Sequence, residues 1–279
     1  MVKSPPPNVP ADINNGDAVY LRAITENILG WSNPKARLDK ALANDDFLLF
    51  AQRIQALRPH SEEQACLEIL LRLQEEEDNM LPPGGFFPVA EALGMLEDID
   101  RWVVRHTVAW CAKSAEAANA PMCCINLSAD ALLNAEFSVF VRTQLKYYDV
   151  PGSRLCFEIT EPDAIANPEA ARKFIRAMKT QGCRFTLDHF GSTKVSFAHI
   201  KDLPIDYLKI DGSIIQNILT SPSDLARARA ISLTCQRLGI RAIAQSVESK
   251  TVLSKLGEIG FDYAQGFGIA HPGPLAKIR

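Results

Sequence analysis

Eight short apolar runs alternate along this chain with longer stretches of helical periodicity, and most of the runs end on a carboxylate, an amide or a lysine. The runs are FLLFAQRI (47–54), CLEILLRL (66–73), MCCINLS (122–128), RLCFEIT (154–160), CRFTLDHF (183–190), DYLKID (206–211), IRAIAQSVE (240–248) and DYAQGF (262–267). They read as strands, and the segments 88–118, 129–148, 168–181, 222–238 and 249–258 read as helices. Gly182, Gly239 and Gly260 stand just ahead of a strand, where helix C-caps belong. Strands alternating with helices make βαβ units and a largely parallel sheet. About eight of them in roughly 240 residues suit an α/β fold of the TIM-like (β/α)8 barrel type. An open doubly wound sheet is the alternative that periodicity alone leaves standing.

The expected organisation is a Pro- and Asn-rich leader at 1–16, a helix within 17–35, a barrel over 36–275 and a short tail at 276–279. Val19, Leu21, Ile24, Ile28 and Leu29 give the second segment one apolar stripe. It serves either as a linker from an upstream domain or as a helix packed on the main body. A short helix is expected at 35–45. The 30 Lys+Arg nearly balance 33 Asp+Glu, so no basic field exists to bind a nucleic-acid polymer. No apolar run is long enough to span a membrane, and the N-terminus lacks the apolar core of a signal peptide. Seven cysteines without a CxxC pair sit mostly inside apolar runs, as small buried hydrophobes would in a reducing cytoplasm.

Barrel active sites are built at the carboxyl ends of the strands. At or near those ends stand Glu68, Asn126, Glu158, Asp188, Lys209 with Asp211, Gln245 with Glu248, and Gln265. Burying one unpaired carboxylate costs on the order of several kcal/mol. Several of them at one mouth satisfy one another through a cation, and the oxygen-only set Glu68, Asn126, Glu158 and Asp188 suits Mg2+ or Mn2+ better than zinc. Taken singly, each has a plainer account, pinning a loop or pairing with Arg72 or Lys209. Their recurrence at equivalent strand ends is what points to a site.

These residues sit in motifs that resemble the EAL domain, the family of cyclic di-GMP phosphodiesterases, over roughly residues 36–275. The family's Glu-Ala-Leu appears as Glu68-Ile69-Leu70, followed by Leu71-Arg72, and its Phe-Ile-Pro-Leu-Ala-Glu as Phe86-Phe87-Pro88-Val89-Ala90-Glu91. Asn126-Leu127-Ser128, Glu158-Ile159-Thr160-Glu161, the run from Leu203 to Asp211, and Gln265-Gly266-Phe267 follow the same pattern. The resemblance implies a modified TIM-like barrel that takes two Mg2+ or Mn2+ ions and opens cyclic di-GMP to linear pGpG. It implies that Glu68, Asn126, Glu158 and Asp188 hold the first metal and that Glu161 anchors the adjacent loop. It places Lys209, Gln245 and Glu248 at catalytic positions, and Gln52, Leu70, Arg72, Phe87, Gln265 and Pro272 around the nucleotide, Arg72 aimed at a phosphate. For Phe87, core packing is the plainer role.

Three departures stand out. Asp-Asp-Phe-Gly, which helps hold the second metal, reads Asp188-His189-Phe190-Gly191. Ala-Glu-Gly-Val-Glu, whose first glutamate supports that metal and its water, reads Ala244-Gln245-Ser246-Val247-Glu248. The loop Gly-Thr-Gly-Tyr-Ser-Ser-Leu reads Gly191-Ser192-Thr193-Lys194-Val195-Ser196-Phe197. Two negative ligands are replaced by neutral ones, and an amide cannot accept a proton as a carboxylate does. His189 either ligates a softer ion or is hydrogen-bonded at the mouth, and Lys194 is either an exposed loop residue or a stand-in cation. The expected protein is therefore a cyclic di-GMP receptor with one metal site and a degenerate second site, signalling to a protein partner or upstream sensor domain, with a homodimer expected by analogy. An active phosphodiesterase and a non-binding scaffold acting through protein contacts are the alternatives.

Overall fold

The computed structural model describes residues 30–278 apart from 59–64, 76–78, 115–119, 192–196 and 198–199. The leader, nearly all of the helix expected within 17–35, and Lys194 lie outside the described residues.

All eight runs form strands: β1 (Phe47–Ala56), β2 (Cys66–Gln74), β4 (Met122–Asn126), β5 (Leu155–Thr160), β6 (Arg184–Phe190), β7 (Tyr207–Ile210), β8 (Arg241–Ala244) and β9 (Tyr263–Ala264). Two short strands, β3 (Met80–Leu81) and β10 (Gly273–Pro274), are added at the edges. The order β1-β9-β8-β7-β6-β5-β4-β2 closes on itself through β1–β2 pairing, making an eight-stranded barrel. Seven of these strands run parallel from β2 to β9. β1 runs against both its neighbours, β2 and β9. This is the departure from a regular (β/α)8 barrel. A short link joins β1 to β2, which antiparallel strands permit and parallel strands do not.

The helices are α1 (Pro34–Asn44), α2 (Pro83–Ala92), α3 (Leu96–Lys113), α4 (Ala129–Leu133), α5 (Ala135–Tyr147), α6 (Glu161–Ala166), α7 (Pro168–Lys179), α8 (Gly212–Ile215), α9 (Pro222–Leu238) and α10 (Lys250–Ile259). Two expected helices are split. The segment 88–118 breaks at Gly94, whose φ of +64° only glycine takes readily. The segment 129–148 breaks at Asn134, which ends α4 and caps α5 by accepting from the Glu136 N–H. Gly239 and Gly260 cap α9 and α10 in the left-handed conformation, as expected. Gly182 does not cap α7. Thr180 does, and Gly182 follows it in a left-handed turn.

Side chains alternate faces along a strand, and this period sets the barrel interior in layers. Ile54, Cys66, Met122, Cys124, Cys156, Tyr207, Ile243 and Tyr263 form a buried apolar layer at the amino ends of the parallel strands. Two residues further along each strand stand Glu68, Asn126, Glu158, Lys209, Gln245 and Gln265, with Gln52 two residues earlier on inverted β1. An apolar floor thus carries a polar layer, which faces the mouth. Outside the barrel the strands pack on the helices through Phe47, Phe86, Phe137, Phe157, Phe174 and Phe185. All seven cysteines are buried and unbridged. Among the described residues no helix is long and apolar enough to cross a membrane.

Candidate functional site

Lys209 is the centre of the polar layer. It is wholly buried, and its Nζ lies 2.6 Å from Glu158 Oε2 and 3.1 Å from Glu68 Oε2. Burial alone would lower its pKa, but Glu158 and Glu68 outweigh burial and hold it well above the usual lysine range. Burial likewise pushes Glu68 up, yet Lys209 and the amides of Gln265 and Asn126 more than offset it, so Glu68 lies below the usual carboxylate range. Asn126 Nδ2 donates to Glu68 Oε1 at 3.0 Å. Gln265 Nε2 donates to Glu68 Oε2 and, at 3.0 Å, to Gln52 Oε1. Gln52 in turn donates to the Ala270 carbonyl at 2.8 Å. Glu158 is pushed well above its usual range by burial, which Lys209 offsets only in part. Its Oε1 is buried with no hydrogen-bond partner.

Beside this cluster Asp188 is buried and Gln245 Nε2 donates to its Oδ1 at 2.8 Å. The amide must present its NH2 here, because its oxygen would face a carboxylate. The His189 N–H also donates to Asp188 Oδ1, at 2.7 Å. His189 adopts φ +57° and turns its ring outward, with Nδ1 3.3 Å from Asp211 Oδ2 and Nε2 3.6 Å from Asp188 Oδ2. Asp211 caps α8 through the Ser213 N–H and hydroxyl. Glu161 is buried and accepts from the Gly191 N–H at 3.2 Å, at the start of the loop that leaves β6.

A cavity of about 420 Å3 opens above these groups. Its walls include Gln52, Glu68, His189, Gln245, Glu248 and Gln265 from the expected set, together with Asp211, Ser213, Gln216, Ser246 and Phe267. Gly266 also lines it, and a Cβ there would fall 2.2 Å from Val247 backbone atoms, so only glycine permits this approach. Leu70, Arg72, Phe87 and Pro272 are not among the lining residues. Leu70 and Arg72 follow Glu68 on the same face of β2, nearer the mouth, where the Arg72 guanidinium lies 5.3 Å over the Phe50 ring. Phe87 packs edge-on against Phe86 and against the core, its plainer role. Among the described residues no group of three or more His, Cys, Asp and Glu side chains is gathered to hold a metal ion.

Asp100 has a part that the apolar runs did not reveal. On α3 it is buried, and its Oδ2 accepts from the Ser128 N–H (3.0 Å) and hydroxyl (2.6 Å). Ser128 caps α4 just after Asn126. A carboxylate inside the apolar stripe of a helix was the available signal. Burial raises Asp100 from 3.8 to about 7. The folded value lies above the unfolded one, so its contribution to stability is complete below about pH 4 and falls as pH rises through 7. Asp100→Asn keeps an acceptor and removes the titration. Its stability relative to wild type should therefore climb over that window by up to about 1.4 kcal/mol per pH unit, as denaturant unfolding at several pH values would show.

A family model for the EAL domain matches residues 35–272. The chain belongs to the EAL domain family. This EAL domain is 34% identical over 241 residues to the cyclic di-GMP phosphodiesterase PdeB of Shewanella oneidensis, covering 86% of this chain and 28% of that protein. It is 32% identical over 268 residues to the cyclic di-GMP phosphodiesterase PdeF of Escherichia coli, covering 96% and 35%. The chain thus spans about a third of the length of these curated relatives. The FimX EAL domain of Pseudomonas aeruginosa, in a crystal structure bound to c-di-GMP, matches this EAL domain with a TM-score of 0.81 at 27% identity, over 87% of this chain and 97% of that one.

Proposed function

We propose that this EAL domain binds cyclic di-GMP at the barrel mouth with little or no hydrolysis, and passes occupancy to a joined domain or partner protein. The observation that carries this reading is the Gln245 amide donating to Asp188 Oδ1 while His189 turns outward to Asp211. In a two-metal hydrolysis, paired cations activate water and stabilise developing charge. By resemblance to the family, Asp188 is the one second-metal carboxylate kept, and N–H groups of Gln245 and His189 already donate to its Oδ1.

The first metal position fares better. Glu68, Asn126, Glu158 and Asp188 offer oxygen donors suited to Mg2+ or Mn2+, and Glu158 Oε1 is a buried acceptor without a hydrogen-bond partner. A cation held by these four would supply Lewis-acid polarisation of a phosphate. Arg72 at the rim supplies a fork for phosphate oxygens, and Lys209 pairs with Glu68 and Glu158 within the same polar layer.

Calorimetric titration with cyclic di-GMP, with and without Mg2+ or Mn2+, tests the reading when the same samples are then chromatographed. Heat with intact ligand supports a receptor. That the sequence keeps all four residues of the family's first-metal set favours the second reading, a phosphodiesterase, and pGpG in the Mn2+ sample would establish it. No heat under any condition would leave a scaffold.

A further inference from the structure

We propose that Cys111 and Cys123 form a peroxide-sensitive dithiol, an oxidation site on the outer wall of the barrel and separate from the ligand cavity. Cys111 lies in the last turn of α3 and Cys123 on β4, with their sulfurs 3.7 Å apart in the buried core. A disulfide requires an approach of about 1.7 Å from that separation. The two residues are twelve apart in sequence, so closure ties the end of α3 to the strand it packs on.

The surroundings favour a thiolate at Cys111. Arg154 is buried, and its guanidinium donates to the Pro121 carbonyl (3.0 Å) and the Ser114 hydroxyl (3.1 Å), both neutral groups. Among the described residues no carboxylate pairs with it, so its charge is left to the thiols beside it. The hydrogen bond between the two sulfurs lowers the Cys111 thiol, with burial opposing and Arg154 assisting, and raises Cys123, which burial raises further. Burial instead pushes Cys66, Cys183 and Cys235 up to about 12. The final turn of a helix opens at low cost, which admits a small uncharged oxidant.

The chemistry balances with hydrogen peroxide as the oxidant. The Cys111 sulfur attacks one peroxide oxygen, the O–O bond breaks, and the departing hydroxide takes up the proton that Cys111 gave. Cys123 then attacks the sulfenic sulfur, forming the S–S bond and releasing the second water. Two thiols lose two electrons and one peroxide becomes two waters.

The test uses the full reduced chain under native conditions, treated with hydrogen peroxide, quenched by alkylation and mapped without reduction. Two of the seven thiols should be lost. One peptide pair should join Cys111 to Cys123, reversed by dithiothreitol, and the oxidised protein should melt at a higher temperature. Cys123→Ser should halt at a Cys111 sulfenic acid that dimedone captures. The proposal is overturned if Cys111 and Cys123 stay alkylatable while other thiols are lost. A cross-link at Cys124 and Cys156, in register on β4 and β5, would overturn it too.

Discussion

Lys209→Met is expected to lower the unfolding free energy by about 3–5 kcal/mol. The ammonium is enclosed between Glu68 and Glu158 with no access to water. Methionine fills nearly the same volume, so the loss isolates the charge rather than creating a cavity. Two carboxylates would then stand close together in a buried layer, already near Asp188, with no cation between them. The variant should respond to this in a second way. Excess Mn2+ should raise its melting temperature more than that of the wild type, because the metal takes over the neutralising role. Denaturant unfolding with and without Mn2+ reads both effects. Unchanged stability would mean that the pair is not the keystone of the polar layer, and an equal Mn2+ response in both proteins would remove Glu68 and Glu158 from the proposed metal set.

The double variant His189→Asp with Gln245→Glu is expected to raise cyclic di-GMP hydrolysis by about 10²–10⁴-fold. Asp in place of His189 restores a carboxylate at the edge of the cavity. Glu in place of Gln245 exchanges the N–H now pointing at Asp188 for an acceptor, which without a metal would repel that carboxylate. The gain should therefore appear only with Mg2+ or Mn2+ present. Each single variant should recover far less, since each leaves one neutral group in a set that acts as a unit. Chromatographic formation of pGpG measures the rate. A double variant that still binds the ligand and leaves it intact would show that these two positions do not account for the slow turnover proposed above.

The strands and the polar layer were legible because one rule produces both. A side chain two positions past a floor residue faces the same interior, so Cys66 leads to Glu68, Cys156 to Glu158, Tyr207 to Lys209 and Tyr263 to Gln265. Strand direction has no such signature. FLLFAQRI carries the same alternation whichever way it runs, and β1 is inverted for a reason that lies in its pairing with β2 and β9. The breaks at Gly94 and Asn134 were marked by residues that favour them, but the flanking apolar periodicity was strong enough to conceal both. Within the site, Lys209 was legible as an ion-pair partner but not the carboxylates it bridges, since which ones it meets depends on three strands at once. The outward turn of His189 onto Asp211 depends on a left-handed φ, which is uncommon outside glycine and which no local pattern announces.

The inverted β1 also decides which end of the barrel the chain enters. Phe47 pairs with Leu73 near the carboxyl end of β2, so the strand starts at the rim and descends to the floor. In a regular barrel the first strand would start at the floor. Here α1 arrives at the rim, where Arg37 donates to the Gln74 carbonyl and pairs with Asp46 and Glu75. Arg72 is two residues from that carbonyl. A pull or twist on α1 therefore reaches the end of β2, and with it Arg72, without crossing the barrel.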